Sequence, residues 1–164
     1  MTEIDRRPPT SSVVAGTVLA LLSVFACAAA SAQGALGATV GLLAFVVGLV
    51  RGSRRALTWA VVLYAVGFVV AGLSGADPAP LVAAAVLLAL AWDVGDHALS
   101  LGDHVGRDAR SQRNQFVHAG TNALVGLLTG GVAYGTYVAA TGGQPVAALV
   151  FLLLGAVAVV TAFR

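Results

Sequence analysis

Apolar and polar positions along the chain divide it into six long apolar runs separated by short polar breaks. The runs fall at 13–32, 36–50, 56–73, 81–101, 116–140 and 146–163. Most approach or exceed the roughly 20 residues an α-helix needs to cross a hydrocarbon layer of about 30 Å; the second is the shortest. No run alternates with the period of two that a barrel strand shows, and only helices satisfy their own backbone in lipid. The breaks carry turn chemistry: "SAQG", "SGADPAP" and "TGGQP", with Pro78, Pro80 and Pro145 placed where a following helix begins. The pattern predicts an all-α polytopic transmembrane helix bundle of six spans. A short tail (residues 1–12) precedes it, and a polar loop at 102–115 interrupts it.

Composition supports this class. Hydrophobic residues make up 59% of the chain and charged residues only 10%, too few to cover a water-soluble surface, so lipid is the expected solvent and the cell membrane the expected location. All nine basic residues are arginines. They lie in the N-terminal tail (Arg6, Arg7), after the second span (Arg51, Arg54, Arg55), after the fourth (Arg107, Arg110, Arg113) and at the end (Arg164). The breaks after the first, third and fifth spans hold none, which predicts both termini on the cytoplasmic side. No basic run is interleaved with aromatics, so nucleic-acid binding is not expected.

The lone Cys27 sits in an apolar run and forms no intramolecular disulfide. "VFAC" at 24–27 departs from a lipobox at Phe25, so lipidation is not expected. "AAASAQG" resembles a signal-peptidase site after Ala32, but the preceding apolar segment exceeds the usual 7–15 residues. Pro8 and Pro9 also follow Arg6-Arg7 where a twin-arginine signal has apolar residues. An uncleaved first helix is therefore expected.

Within the spans, Gly37 and Gly41, Gly126 and Gly130, and Gly131 and Gly135 stand four apart, a spacing that lets helices approach closely in lipid. Trp59, Tyr64, Trp92, Tyr134 and Tyr137 are candidate interface anchors. "YAVGFVVAG" and "YGTYVAATGG" each precede a Pro-led helix, a weak sign of duplication.

Chemistry concentrates at 92–110, "WDVGDHALSLGDHVGRDAR". On a helix Asp93, His97, Ser100, His104 and Arg107 share one face, widened by Asp96 and Asp103, while Val94, Ala98, Leu101 and Val105 form the other. At about 1.5 Å per residue from Pro80, Asp93 lies roughly 20 Å and Asp96 roughly 24 Å along the helix, in the inner third of the hydrocarbon. Three readings stay open. The segment is a juxtamembrane amphipathic helix bent at Gly95 or Gly102, with its acidic start and basic end suited to the dipole. Alternatively Asp93, Asp96 and His97 form a proton or ion relay with His118 and Asn122 on the fifth span, because an intramembrane carboxylate points to function. Or Asp93 and His97 hold two positions of a metal site with His104 or His118, although nothing fixes a further ligand and no HExxH is present.

The stretch resembles the CDP-alcohol phosphatidyltransferase motif at Asp93-Val94-Gly95-Asp96. His97 stands where that family has Gly, Ser100-Leu101 replaces its Ala-Arg, and its later aspartates are missing, so phosphotransfer is not expected. No Walker A, GxSxG or intramembrane-protease arrangement is present.

"WDVGDHALSLGDHVGRDARSQRNQFVHAG", in a lysine-free chain rich in Ala, Val and Gly, resembles a family of uncharacterised six-helix integral membrane proteins from haloarchaea. Asp93, Gly95, Ala98, Ser100, Leu101, Gly102, Gly106 and Arg107 fill its D-x-G-x-x-A-x-S-L-G-x-x-x-G-R pattern. The resemblance implies an archaeal protein similar to ones encoded beside MoxR-type ATPases and their adaptors, and hence a role in membrane-associated assembly. It implies no cofactor. The expected function is that of a non-enzymatic membrane component or scaffold. The contact with another membrane-associated protein is expected through 102–115, at Asp103, His104, Arg107, Arg110 and Arg113. The alternatives are a small ion- or proton-coupled transporter and a membrane-embedded metalloenzyme.

Overall fold

The computed structural model describes residues 8–105 and 112–140, together with 148, 150 and 152–155. Five helices follow one another: α1 (Thr10–Ala30), α2 (Ala32–Arg51), α3 (Arg54–Leu73), α4 (Pro78–Val105) and α5 (Gln112–Ala139). No strand occurs among the described residues. Four of the helices, α1 to α4, are long and apolar enough to cross a bilayer. The six-span expectation thus reduces, among the described residues, to four. α5 has the length, but Thr121, Asn122, Thr129, Thr136 and several glycines dilute its apolar content. The expected sixth span at 146–163 falls mostly outside the described residues; those of it that are described are helical, with Val150 buried against the core.

The helix ends follow from local chemistry. The break between α1 and α2 is a single extended residue, Ser31, whose hydroxyl accepts from the Gly34 N–H at 3.3 Å. "SAQG" is therefore a one-residue break and not a loop, because the Ser31 cap satisfies a donor that a longer turn would otherwise leave to water. α2 stops at Gly52, which takes the left-handed conformation (φ 66°) that a side chain resists. Ser53 then caps α3 by accepting from the Ala56 N–H. Pro78 opens α4, as its fixed φ favours, beside an Asp77 carboxylate that accepts from the Ala79 N–H.

α1 to α4 form an up-down ring in which each helix packs against its two neighbours. Every adjacent pair runs antiparallel: Gly34 meets Ala71 while Gly48 meets Leu57, and Ser23 meets Ala84 while Gly16 meets Ala91. α5 lies outside the ring, against α4. The ends of α2 and α4 and the starts of α1, α3 and α5 therefore share one end of the molecule. That end holds Arg51, Arg54 and Arg55, while Asp77 marks the opposite end.

The interior is built from small residues and a few aromatics, including Ala20, Cys27, Phe45, Leu49, Leu57, Ala60 and Tyr64. Large aliphatic side chains such as Leu36, Leu43 and Leu73 face outward, the distribution expected where lipid is the solvent and close backbone approach supplies the attraction. α2 and α3 show this most strongly. A Cβ on Gly37 would lie 2.8 Å from the Gly67 Cα, and one on Gly67 would lie 2.7 Å from the Gly34 carbonyl oxygen. Only hydrogen fits there. Buried hydroxyls are all partnered: Ser23 donates to the Ala84 carbonyl at 2.8 Å and Tyr64 to the Ala20 carbonyl at 2.7 Å. Tyr64 is thus a core residue and not an interface anchor, since its hydroxyl finds a carbonyl inside the ring. Trp59, in contrast, is 59% exposed.

Two further expectations change. α4 runs on to Val105 and α5 starts at Gln112, so both ends of the expected 102–115 loop are helical. The apolar side of α4 expected at Val94, Ala98, Leu101 and Val105 is met at Ala98 but shifts at Val94 and Leu101, the Val105 side chain lying outside the described residues. The buried positions are Ala91, Gly95, Ala98, Leu99 and Gly102, while Val94 and Leu101 are only half-buried. The reason is size: a Cβ on Gly95 would lie 3.2–3.4 Å from Leu49, Phe45 and Leu57, so the small residues turn to the neighbouring helices.

Candidate functional site

The polar face of α4 is the only concentration of acidic side chains on the described helices, and it is wedged between α3 and α5. Gly95 sets its position by letting α4 settle onto Phe45, Leu49 and Leu57. With that side buried, Asp96 and Ser100 look toward the start of α3 and Asp93 toward α5. Arg54, the first residue of α3, donates from Nη1 to Asp96 Oδ1 at 2.5 Å and from Nη2 to Ser100 Oγ at 2.7 Å. Ser100 in turn donates to the Asp96 carbonyl one turn back, at 3.0 Å. One guanidinium thus grips two successive turns of α4.

The Arg54 and Asp96 side chains are 49% and 32% exposed, so water or headgroups screen the pair. It contributes at most about 1 kcal/mol.

One turn inward, Asn122 of α5 donates from Nδ2 to Asp93 Oδ2 at 2.5 Å, in a half-buried contact. Farther along the same seam Gly126 and Gly130 meet Val86, a Cβ on Gly130 lying 2.7 Å from Val86 Cγ2. The Asp93–Asn122 contact and the approach of Gly126 and Gly130 to Val86 place α4 and α5 in a single antiparallel register. Carried one turn toward the arginine end, that register brings positions 97 and 118 to the same level. His97 is half-buried.

The expected site residues are thereby placed. Asp93 and Asn122 meet directly. Asp96 goes to a different neighbour, Arg54. The backbones of Asp103 and His104 lie in the last turn of α4, and those of Arg113 and His118 in α5. The side chains of these four residues, and all of Arg107 and Arg110, lie outside the described residues. Among the described residues no three His, Cys, Asp or Glu side chains converge as a metal would require.

Arg54 was legible in sequence only as one of the basic residues that set orientation; nothing in the local pattern pairs it with a carboxylate 42 positions away. Of the glycine pairs, Gly37 and Gly41 line the α2–α3 seam and Gly126 and Gly130 face α4, whereas Gly131 and Gly135 meet nothing within 4 Å.

Each described carboxylate of α4 is engaged by a fixed donor from a neighbouring helix. Chemically, the arrangement can fasten helices together and hold charge at the rim of the ring.

Residues 6–160 match the model of a family of unknown function, DUF7519, and the chain belongs to that family. No curated protein and no solved structure matches it.

Proposed function

We propose that this DUF7519 member is a non-enzymatic, multi-pass component of the cell membrane that binds another membrane-associated protein through the α4–α5 hairpin. One observation carries the reading. Arg54, at the very start of α3, is level with Asp96 and Ser100. α4 therefore continues for its last five residues, Leu101 to Val105, beyond the α2–α3 turn, about 7–8 Å at the helical rise. α5 begins at the same outer level, and the sequence that joins the two helices and opens α5 carries Arg107, Arg110 and Arg113. Two helix ends reaching beyond an apolar ring, joined by a sequence rich in charge, are the part of the chain suited to a protein partner.

The clustering of Arg51, Arg54 and Arg55 at the same end supports a cytoplasmic location for the hairpin and both termini. On this reading the expected fifth and sixth spans complete the bundle, and the membrane is that of an archaeal cell.

The carboxylates of α4 serve assembly: Asp96 and Asp93 bind α4 to its neighbours. A second reading, a proton-coupled transporter using Asp93, Asp96 and His97, is favoured by one feature, the half-buried contact between Asp93 and Asn122 one turn inside the rim.

A photocrosslinking residue at position 110, activated in native membranes, tests the partner directly. A discrete adduct is expected, and it should vanish when Arg107, Arg110 and Arg113 are reversed to Glu with a neighbouring position carrying the probe. Asp93→Asn and His97→Ala should leave it intact. No adduct, or an adduct indifferent to charge reversal, refutes the proposal.

A further inference from the structure

We propose that the α2–α3 turn is a binding site for the headgroup of an anionic phospholipid, formed by Arg51, Arg55 and Trp59. The turn is only Gly52 and Ser53, so it brings the end of α2 and the start of α3, with their three arginines, to one rim of the ring. Arg54 is spoken for: its guanidinium is turned inward onto Asp96 and Ser100. Arg51 and Arg55 are exposed and have neither ion pair nor hydrogen-bond partner among the described residues. Neither can find one on its own helix or on the two before α4, because no Asp or Glu occurs between Thr10 and Leu73. Among the described residues, no carboxylate compensates these two positive charges where the polypeptide meets the membrane surface.

The face below Arg55 fixes the kind of ligand. Arg55, Trp59, Val62 and Val66 follow at helical spacing and are all exposed, so a guanidinium, an indole and an aliphatic stripe succeed one another with depth. Trp59 lies one turn, about 6 Å, inside Arg55, at the level where indole rings settle between headgroup and acyl chain. A phosphodiester suits guanidiniums, which donate in a fork that matches its oxygens. The hydrocarbon chains of the same molecule can lie along Val62 and Val66. A zwitterionic lipid brings its own ammonium to the two arginines, whereas an anionic one neutralises them. The inference rests on placement of the ring in a bilayer but not on the partner proposed for the α4–α5 hairpin.

The test uses the full chain carrying Trp92→Phe, which leaves Trp59 as its one tryptophan. It is reconstituted in bilayers containing a fixed fraction of either brominated phosphatidylglycerol or brominated phosphatidylcholine, and tryptophan quenching is compared. Stronger quenching by the anionic lipid is expected, corresponding to a preference of about fivefold for each arginine. Arg51→Gln with Arg55→Gln should bring the two lipids to parity. Arg6→Gln with Arg7→Gln removes the same charge from the tail and should leave the preference in place, as should excess inorganic phosphate at constant ionic strength.

Equal quenching by the two lipids overturns the site while leaving the bilayer placement standing. Absence of quenching by either overturns the placement itself. A preference that survives the Arg51/Arg55 double substitution, or one that free phosphate abolishes, also overturns the proposal. If Trp92→Phe fails to fold, native mass spectrometry of the otherwise unaltered chain reads the same result. Anionic lipid should be retained in preference to phosphatidylcholine and lost with the two arginines; indiscriminate retention counts against the site.

Discussion

The α2–α3 seam and the α4–α5 seam both join antiparallel neighbours, but they do so with different chemistry. Between α2 and α3 the fit is a matter of shape: Gly34, Gly37, Gly41 and Gly48 on one side and Gly67 on the other bring backbone against backbone or ring. Between α4 and α5 the described seam includes a close small-residue contact, Gly130 against Val86, and a polar clasp, Asn122 to Asp93. The other side of α5 carries the same small-residue spacing at Gly131 and Gly135 with none of the described residues against it. Spacing alone therefore does not make a seam; what decides is whether a neighbour's backbone stands opposite.

Substitutions that add one methyl group test this contrast most severely. Gly67→Ala places a Cβ against the Gly34 carbonyl and the Ala38 N–H, both backbone and both unable to rotate away. It should cost roughly 2–3 kcal/mol, the upper range for overpacking, measured by unfolding in detergent or bicelles. A loss below about 0.5 kcal/mol would mean that the seam is looser than described.

The polar clasps come next. Asn122→Ala should cost about 0.6 kcal/mol and no more than about 1.7, the range for interhelical hydrogen bonds in lipid. A double-mutant cycle with Asp93→Ala should recover most of that as coupling between the two positions. Arg54→Gln should cost at most about 1 kcal/mol, because its pair with Asp96 is partly exposed. The cost should shrink as salt is raised, and a salt-independent effect would show that packing and not charge holds the residue. The smallest effect is expected at Gly131→Ala. With open space around it, the change should fall within about 0.5 kcal/mol of zero or stabilise slightly through helix propensity.

Much of this architecture is legible in the sequence, and its failures have physical causes. The apolar runs locate α1 to α4 to within a few residues, and the described Arg51, Arg54 and Arg55 lie together at one end of the ring. The burial within each helix is less legible, because patterns learned in water put large apolar residues inside. Here Leu36, Leu43 and Leu73 face outward and Gly95 and Gly102 face inward, so the buried side of α4 is read one notch off. Tyr64 looks like an interface anchor by residue type, yet it is fully buried, its hydroxyl donating to the Ala20 carbonyl.

At the candidate site, the helical spacing of Asp93, Asp96 and His97 is visible in sequence, and Asn122 stands out as a polar residue in an apolar run. Which helix each carboxylate reaches is not visible. That depends on the rotation of α4, which Gly95 sets through contacts with three residues from α2 and α3.

The account treats Asp93 as a fastening between α4 and α5 and not as a carrier of protons. Proton entry into vesicles reconstituted with the full chain, followed with an entrapped pH indicator under an imposed gradient and potential, tests this most directly. The wild-type chain and the Asp93→Asn variant should give the same flux as protein-free vesicles, while the variant alone loses stability. A wild-type flux above that background which Asp93→Asn abolishes would contradict the account and establish the transporter reading in its place.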